Sequence, residues 1–355
     1  MIKILIVDDS ASIRKFFLEF FSNEPDLEVV GCAEDGESAF RMVKELKPDV
    51  VTMDVSLPDY DGFAVTRRIM EHTPVPIVII SAVYSASDVE IGLRMLDTGA
   101  LAFHNKPSLN DKFFHERMNE IIMSVRSMSE VKVVRRRNRV QKNVEHRPVK
   151  PMKYFRQNVK NTKAKIVCIG ASTGGPLALK QILFDLPKTL PVPVLIVQHI
   201  SSGFLQGLVN WLRDNTGHNI KIAVQDELLK AGVVYFAPED THIQVASKGR
   251  VILSQNPAVN GIRPTIAEMF SSVAANFKEG CVGVLLTGMG RDGADGLLEI
   301  RHNGGYTIAQ DKETSIIFGM PGEAVKLGAA VSVLPLEKIG PDINRYLLES
   351  YGENL

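Results

Sequence analysis

The sequence predicts an α/β protein made of two doubly wound parallel-sheet domains joined by a basic linker. Three observations carry that expectation. Short apolar runs of strand length alternate with longer amphipathic segments in both halves of the chain, the pattern of strands joined by crossover helices. Between Arg126 and Lys165 the alternation stops, and fourteen Lys or Arg stand against only Glu130 and Glu145. The chemically versatile side chains follow directly on the apolar runs, where open parallel sheets form their functional crevice. The expected division is a first domain over 1–125, a linker over 126–163 and a second domain over 164–350.

A chain of 355 residues is long enough for two buried cores, and 45% hydrophobic with 23% charged residues is ordinary for globular protein. The opening apolar run ends at Asp8 and Asp9, unlike a secretory signal, and no later run approaches bilayer length, so a cytoplasmic location is expected. Cys32, Cys168 and Cys281 lie far apart in apolar stretches without Cys-x-x-Cys spacing, which favours buried thiols over a disulfide or zinc site. The basic segment also contains Pro148 and Pro151, and its only aromatics are Tyr154 and Phe155. It reads as a solvated tether, so nucleic acid is not an expected partner.

Five strands are expected in the first domain: Ile4 to Val7, Val29 to Ala33, Asp49 to Met53, Ile77 to Ile80 and Leu101 to Phe103. Asp8 and Asp9 close the first and Asp54 the third, gathering three carboxylates at one sheet edge. Such a cluster is unfavourable without a cation, and an all-oxygen set suits Mg²⁺. Ser81 ends the fourth strand and Lys106 follows the fifth, adding a hydroxyl and a fixed positive charge. Together these groups are equipped to accept a phosphoryl group.

Ile4 to Asp9, Met53-Asp54-Val55-Ser56-Leu57-Pro58-Asp59-Tyr60-Asp61-Gly62, Ile77 to Ala82 and Phe103-His104-Asn105-Lys106-Pro107 resemble the receiver domain of two-component response regulators. The resemblance implies a flavodoxin-like fold and phosphorylation of Asp54 by a histidine kinase. It also implies Mg²⁺ on Asp8, Asp9 and Asp54, switch roles for Ser81, Phe103 and Lys106, and a cis bond at Lys106-Pro107.

In the second domain the run Ile166 to Ala171 leads into Ser172, then Thr173-Gly174-Gly175 and an amphipathic stretch from Leu177 to Leu186. Gly170-Ala171-Ser172-Thr173-Gly174 fits G-x-S-x-G, in which a sharp strand-to-helix turn lifts a serine hydroxyl clear of the sheet. The next strand, Val194 to Val197, ends in Gln198-His199. Consecutive parallel strands joined by one helix lie close together, so Ser172 and His199 share a carboxyl edge, as a nucleophile and its base require. His218, His242 and His302 are competitors that follow no convincing buried strand beside Ser172. The strand Val282 to Leu286 runs into Thr287-Gly-Met-Gly-Arg-Asp292-Gly-Ala-Asp295, and Asp292, Asp295 and Asp311 all remain candidates to orient the imidazole. The order Ser, His, Asp differs from that of α/β-hydrolases. The sequence speaks against dinucleotide binding, because Ser172 replaces the middle glycine and no ribose-binding acid ends the next strand.

Gly170-Ala-Ser172-Thr-Gly-Gly175, Gln198-His199, Thr287-Gly-Met-Gly-Arg-Asp292-Gly, Phe236-Ala-Pro-Glu-Asp-Thr-His and Phe318-Gly-Met-Pro-Gly resemble the catalytic domain of chemotaxis protein-glutamate methylesterases, whose full architecture places a receiver first. That resemblance implies a Rossmann-like second domain with Ser172 as nucleophile, His199 as base, Asp292 as the orienting acid, and the N–H groups of Met289 and Thr173 as oxyanion donors. It implies demethylation of chemoreceptor glutamates and deamidation of receptor glutamines, with no cofactor in the esterase site. Phosphorylation of Asp54 is implied to release a receiver that covers the cleft. The implied partners are chemoreceptors, through which the protein meets the membrane peripherally, and the chemotaxis histidine kinase. The family often has proline after Gln198-His199-Ile200, whereas Ser201-Ser202 stands here, so a looser loop is expected. The basic linker has no counterpart in the resemblance, and salt-dependent steering to acidic receptor segments or anionic membrane is one reading of it. The alternative function is a response regulator whose output domain only binds nucleic acid or protein.

Overall fold

The computed structural model describes residues 1–58, 62–82, 86–107, 114–131, 133 and 163–351. The chain divides into two compact units, each built on its own parallel sheet. The basic segment falls outside the described residues at 132 and 134–162, as do Asp59, Tyr60 and Asp61.

Residues 2–129 alternate β1 (Ile2–Val7), α1 (Ala11–Ser22), β2 (Leu27–Ala33), α2 (Gly36–Leu46), β3 (Val50–Met53), α3 (Gly62–His72), β4 (Ile77–Ser81), α4 (Ala86–Thr98), β5 (Ala102–Asn105) and α5 (Phe114–Ser129). The strand order is β2-β1-β3-β4-β5, all parallel. β3 and β4 are buried at every residue, which is why they read as unbroken apolar runs rather than as alternating ones. The order reverses between β1 and β3, so the crevice opens beyond Val7 and Met53, where Asp8 and Asp54 follow.

Two details differ from expectation. α5 runs through Arg126 to Ser129 instead of giving way to a linker after Val125. Arg126 is drawn into the fold by Asp26 (Nη2 to Oδ1, 2.6 Å) and Glu24 (Nη2 to Oε2, 2.8 Å). The one cis peptide bond among the described residues is Arg263-Pro264, so the cis bond expected at Lys106-Pro107 is not found; X-Pro favours trans by about 0.5–1 kcal/mol.

The second unit contains β6 (Ile166–Ala171), α6 (Gly175–Asp185), β7 (Val194–Gln198), α7 (Leu205–Thr216), β8 (Asn219–Ile222), β9 (Val233–Phe236), β10 (His242–Val245), β11 (Val251–Ser254), α8 (Ile266–Phe277), β12 (Cys281–Leu285), α9 (Ala294–His302), β13 (Tyr306–Gln310), α10 (Met320–Lys326), β14 (Ser332–Leu334) and α11 (Leu336–Tyr351). Seven parallel strands follow the order β14-β13-β12-β6-β7-β9-β8, with β10 and β11 forming a separate antiparallel pair. The switch point is β6, flanked by β7 and β12, and all three strands are buried throughout. α8 packs closely on β6 because Gly170 has no side chain: a Cβ there would overlap Ile266 Cγ2, and one on Gly293 would come within 2.5 Å of the same atom. All three cysteines are free. Cys168 and Cys281 are fully buried with sulfurs 3.2 Å apart, while Cys32 is only partly covered. Among the described residues no helix is long and apolar enough to cross a membrane.

Candidate active site

β6, β7 and β12 end side by side, and their loops carry the catalytic candidates. Ala171 pairs with Gln198, and the next residue along each strand is Ser172 or His199. The register is continued past the strand ends by the His199 N–H donating to Ala171 O (2.9 Å) and the Ser172 N–H donating to Thr287 O (3.1 Å).

His199 Nε2 stands 2.9 Å from Asp292 Oδ2, with both side chains mostly buried, although the approach lies outside the alignment of a hydrogen bond. With Nε2 against the carboxylate, Nδ1 is the ring nitrogen left to act as base. Asp292 is itself held by the start of α8: Oδ2 accepts from Ile266 N (2.7 Å) and Oδ1 from Ala267 N (3.1 Å). Burial works to raise its pKa, but His199 and the two helix N–H groups outweigh burial and hold it below the ordinary carboxylate value. Asp295 instead forms an exposed i,i+4 pair with Arg291 (2.8 Å), and Asp311 accepts from Thr314 N (2.9 Å) and Thr314 Oγ1 (2.7 Å).

The competing histidines are occupied elsewhere. His218 Nε2 donates to Leu183 O (2.7 Å), and burial pushes the His218 pKa down. His302 is exposed at the end of α9. His242 is fully buried, and its Nδ1 accepts the Thr265 N–H (3.3 Å) just ahead of α8.

Thr173 and Met289 belong to loops whose carbonyls are tightly held. Ser172 O accepts from Gly175 N (2.7 Å) and Gln198 Nε2 (2.9 Å). Gly288 O accepts from Gly319 N (3.1 Å) and Met320 N (2.9 Å) at the start of α10. Thr287 Oγ1 ties the two loops together, donating to Thr173 O (2.9 Å) and accepting from Ile317 N (2.9 Å), while Gln310 Oε1 accepts the Thr287 N–H (2.9 Å).

The loop after His199 is not left loose by the missing proline. Glu239 reaches across from the segment between β9 and β10, its carboxylate accepting from Gly203 N (2.8 Å) and Leu205 N (2.9 Å). Sequence reasoning passed over Glu239, Thr287, Gln310 and the role of Gln198. The one available signal was a polar residue, Gln198, closing an otherwise apolar strand directly before His199.

In the first unit Asp8 and Asp54 are nearly fully buried, and Asp9 is exposed. Lys106 Nζ lies 2.7 Å from Asp8 Oδ2 and 2.6 Å from Asp54 Oδ2. Asp54 Oδ1 accepts the Val55 N–H (2.8 Å). Burial raises the Asp8 pKa despite the opposing ammonium; burial also works against the Lys106 charge, but the two carboxylates raise its pKa overall. Asp8, Asp9 and Asp54 each offer an oxygen within 4.8 Å of the others, a hard-donor set with more negative charge than one lysine offsets. Ser81 closes β4, buried, and Phe103 lies in the adjacent β5.

Residues 167–343 match the family model described as CheB methylesterase, and residues 4–118 match the response regulator receiver domain. A Syntrophus aciditrophicus protein named protein-glutamate methylesterase/protein-glutamine glutaminase 1 is 46% identical, with 96% of each chain covered. A Nitrosospira multiformis protein named protein-glutamate methylesterase/protein-glutamine glutaminase is 42% identical, with 98% of each covered. The crystal structure of the Thermotoga maritima CheB methylesterase catalytic domain matches at 38% identity and a TM-score of 0.50, covering 52% of this chain and 99% of that one.

Proposed function

The chain belongs to the protein-glutamate methylesterase/protein-glutamine glutaminase family, a hydrolase with a response-regulator receiver, and on that premise we propose that Ser172, His199 and Asp292 perform the hydrolysis. The substrates are methyl-esterified glutamates and glutamines of chemoreceptors. The observation that carries the assignment is the 2.9 Å approach of His199 Nε2 to Asp292, at strand ends adjoining that of Ser172.

Ser172 Oγ attacks the ester carbonyl carbon while its proton passes to His199. The developing oxyanion is met by the N–H groups of Thr173 and Met289. The C–O bond to the methoxy group then breaks, and His199 returns the proton so that methanol leaves. Water attacks the acyl-enzyme with His199 again as base, regenerating Ser172 and releasing the glutamate; with glutamine the first leaving group is ammonia. Asp292 stabilises the protonated imidazole and fixes its orientation.

The receiver accepts a phosphoryl group. Asp54 is the proposed acceptor, with the chemotaxis histidine kinase as donor, and its phosphorylation raises esterase activity. Mg²⁺ would be held by Asp8, Asp9 and Asp54 and would offset phosphoryl charge there. Lys106 places a further cation beside Asp54, and Ser81 and Phe103 are the proposed switch residues. The proposed domains are 1–125 and 164–350, joined by the basic segment 126–163, and contact with the membrane is peripheral, through receptors.

The test is methanol release from methylated receptor membranes, with and without a small phosphodonor and Mg²⁺. Release should vanish in Ser172→Ala, and its stimulation by phosphodonor should vanish in Asp54→Ala. Full release from Ser172→Ala would remove the assignment.

A further inference from the structure

Gln198 is 5% exposed, yet it ends a strand that is otherwise wholly apolar. Its Nε2 donates to Ser172 O (2.9 Å) and to His199 O (2.7 Å). Two carbonyl acceptors fix which end of the amide is nitrogen, because the reversed amide would set oxygen against oxygen. The amide oxygen finds no donor among the described residues. It occupies the space that Gly175 leaves open: a Cβ on Gly175 would overlap Oε1 and lie 2.9 Å from Cδ. A buried, unpaired acceptor costs about 1–3 kcal/mol, so this residue is a poor choice for stability alone.

What the arrangement secures follows from the planarity of the peptide unit. The Ser172 carbonyl and the Thr173 N–H belong to one trans peptide and point in opposite directions. Holding the carbonyl against β7 therefore aims the N–H away from β7. The Gly288–Met289 peptide is aimed in the same way by the two N–H groups of α10 that take its carbonyl. For that peptide the hold is backbone alone. For Thr173 part of it is one replaceable side chain, which also holds the His199 carbonyl.

Resting on the hydrolytic reading above, we propose that Gln198 is a positioning residue that sets the Thr173 oxyanion donor and the His199 base relative to each other. It touches no reacting atom, and its effect falls on the transition state rather than on receptor binding. Loss of one oxyanion donor lowers kcat by about 10²–10³-fold in well-studied hydrolases; misaiming one should cost about 10–100-fold.

The test uses full-length protein with phosphodonor and Mg²⁺, measuring kcat and KM for methanol release alongside thermal unfolding. Gln198→Met keeps length and removes the donor; it should lower kcat by about 10–100-fold with KM within about twofold. Gly175→Ala approaches the same amide from the other side and should also lower kcat, and the double variant should lose less than the product of the single losses. A folded Gln198→Met with kcat within about threefold of wild type overturns the proposal, as does a loss confined to KM. If Gln198→Met does not fold, Gly175→Ala decides by the same criteria. Ser172→Ala run in parallel separates the two readings, since its activity judges the hydrolytic mechanism whichever way Gln198 behaves.

Discussion

Asp292 holds His199 and the start of α8 with the same two oxygens: Oδ2 lies 2.9 Å from His199 Nε2 and 2.7 Å from Ile266 N, and Oδ1 is 3.1 Å from Ala267 N. The carboxylate that faces His199 is thus also a helix cap supplied from a distant loop. Ile266, whose N–H it takes, is seated against Gly170 and Gly293, so packing and polar contacts locate the carboxylate together.

Asp292→Asn should therefore fail twice. An amide retains one acceptor but turns N–H groups toward either the ring or the helix. Methanol release should fall by about 10³–10⁴-fold. Urea unfolding should show a loss of about 1 kcal/mol from the weakened cap. Activity within tenfold of wild type would exclude Asp292 as the orienting acid.

The same carboxylate predicts a pH dependence. Its folded pKa lies below the ordinary 3.8, so the stability it contributes is present above 3.8 and is lost as pH falls through the folded value. The difference in unfolding free energy between wild type and Asp292→Asn should narrow as pH falls from 3.8 through the folded value. A difference that widens on acidification would contradict the sign.

In the receiver, Asp8, Asp9 and Asp54 should bind Mg²⁺ measurably by calorimetric titration of the unphosphorylated protein. At ten times the dissociation constant the bound ion should stabilise the receiver by about 1.4 kcal/mol. Asp9→Asn, which removes the exposed carboxylate of the three, should weaken binding while leaving basal methanol release intact. Unchanged affinity in that variant would place the cation elsewhere.

Glu239→Ala removes the carboxylate shared by Gly203 and Leu205 at the start of α7. Stability should drop by about 1 kcal/mol. Methanol release should fall with it, because the loop leading from His199 loses its anchor. Glu239→Gln, which keeps one acceptor, should lie between. Equal behaviour of all three proteins would mean that the loop is held by other contacts.

The central strands of both parallel sheets were legible because they are buried on two faces and stand out as apolar runs. The strand ends were legible too, since Asp8, Asp54, Ser81, Ser172 and His199 each follow such a run. Choosing among Asp292, Asp295 and Asp311 needed the fold. Asp292 ends the glycine-rich loop and Asp295 opens α9 three residues on, and only the fold shows that Asp292 faces His199 and the start of α8 while Asp295 pairs with Arg291. Glu239 stands in the Phe236-Ala-Pro-Glu-Asp-Thr-His motif, but its contact with the start of α7, far from it in sequence, was not legible there. That α5 continues past Val125 was not legible because Arg126, counted with the basic run, is paired with Glu24 and Asp26.

Cys168 and Cys281 sit back to back on β6 and β12, without exposed surface. A thiol reagent can reach them only when the seam between those strands parts. Since Ser172 and Asp292 follow the same two strands, the alkylation rate of Cys168 and Cys281 clocks how often the frame that carries those residues comes apart, with no introduced cysteine. Cys32, partly covered in the other unit, reacts on its own schedule and marks the background.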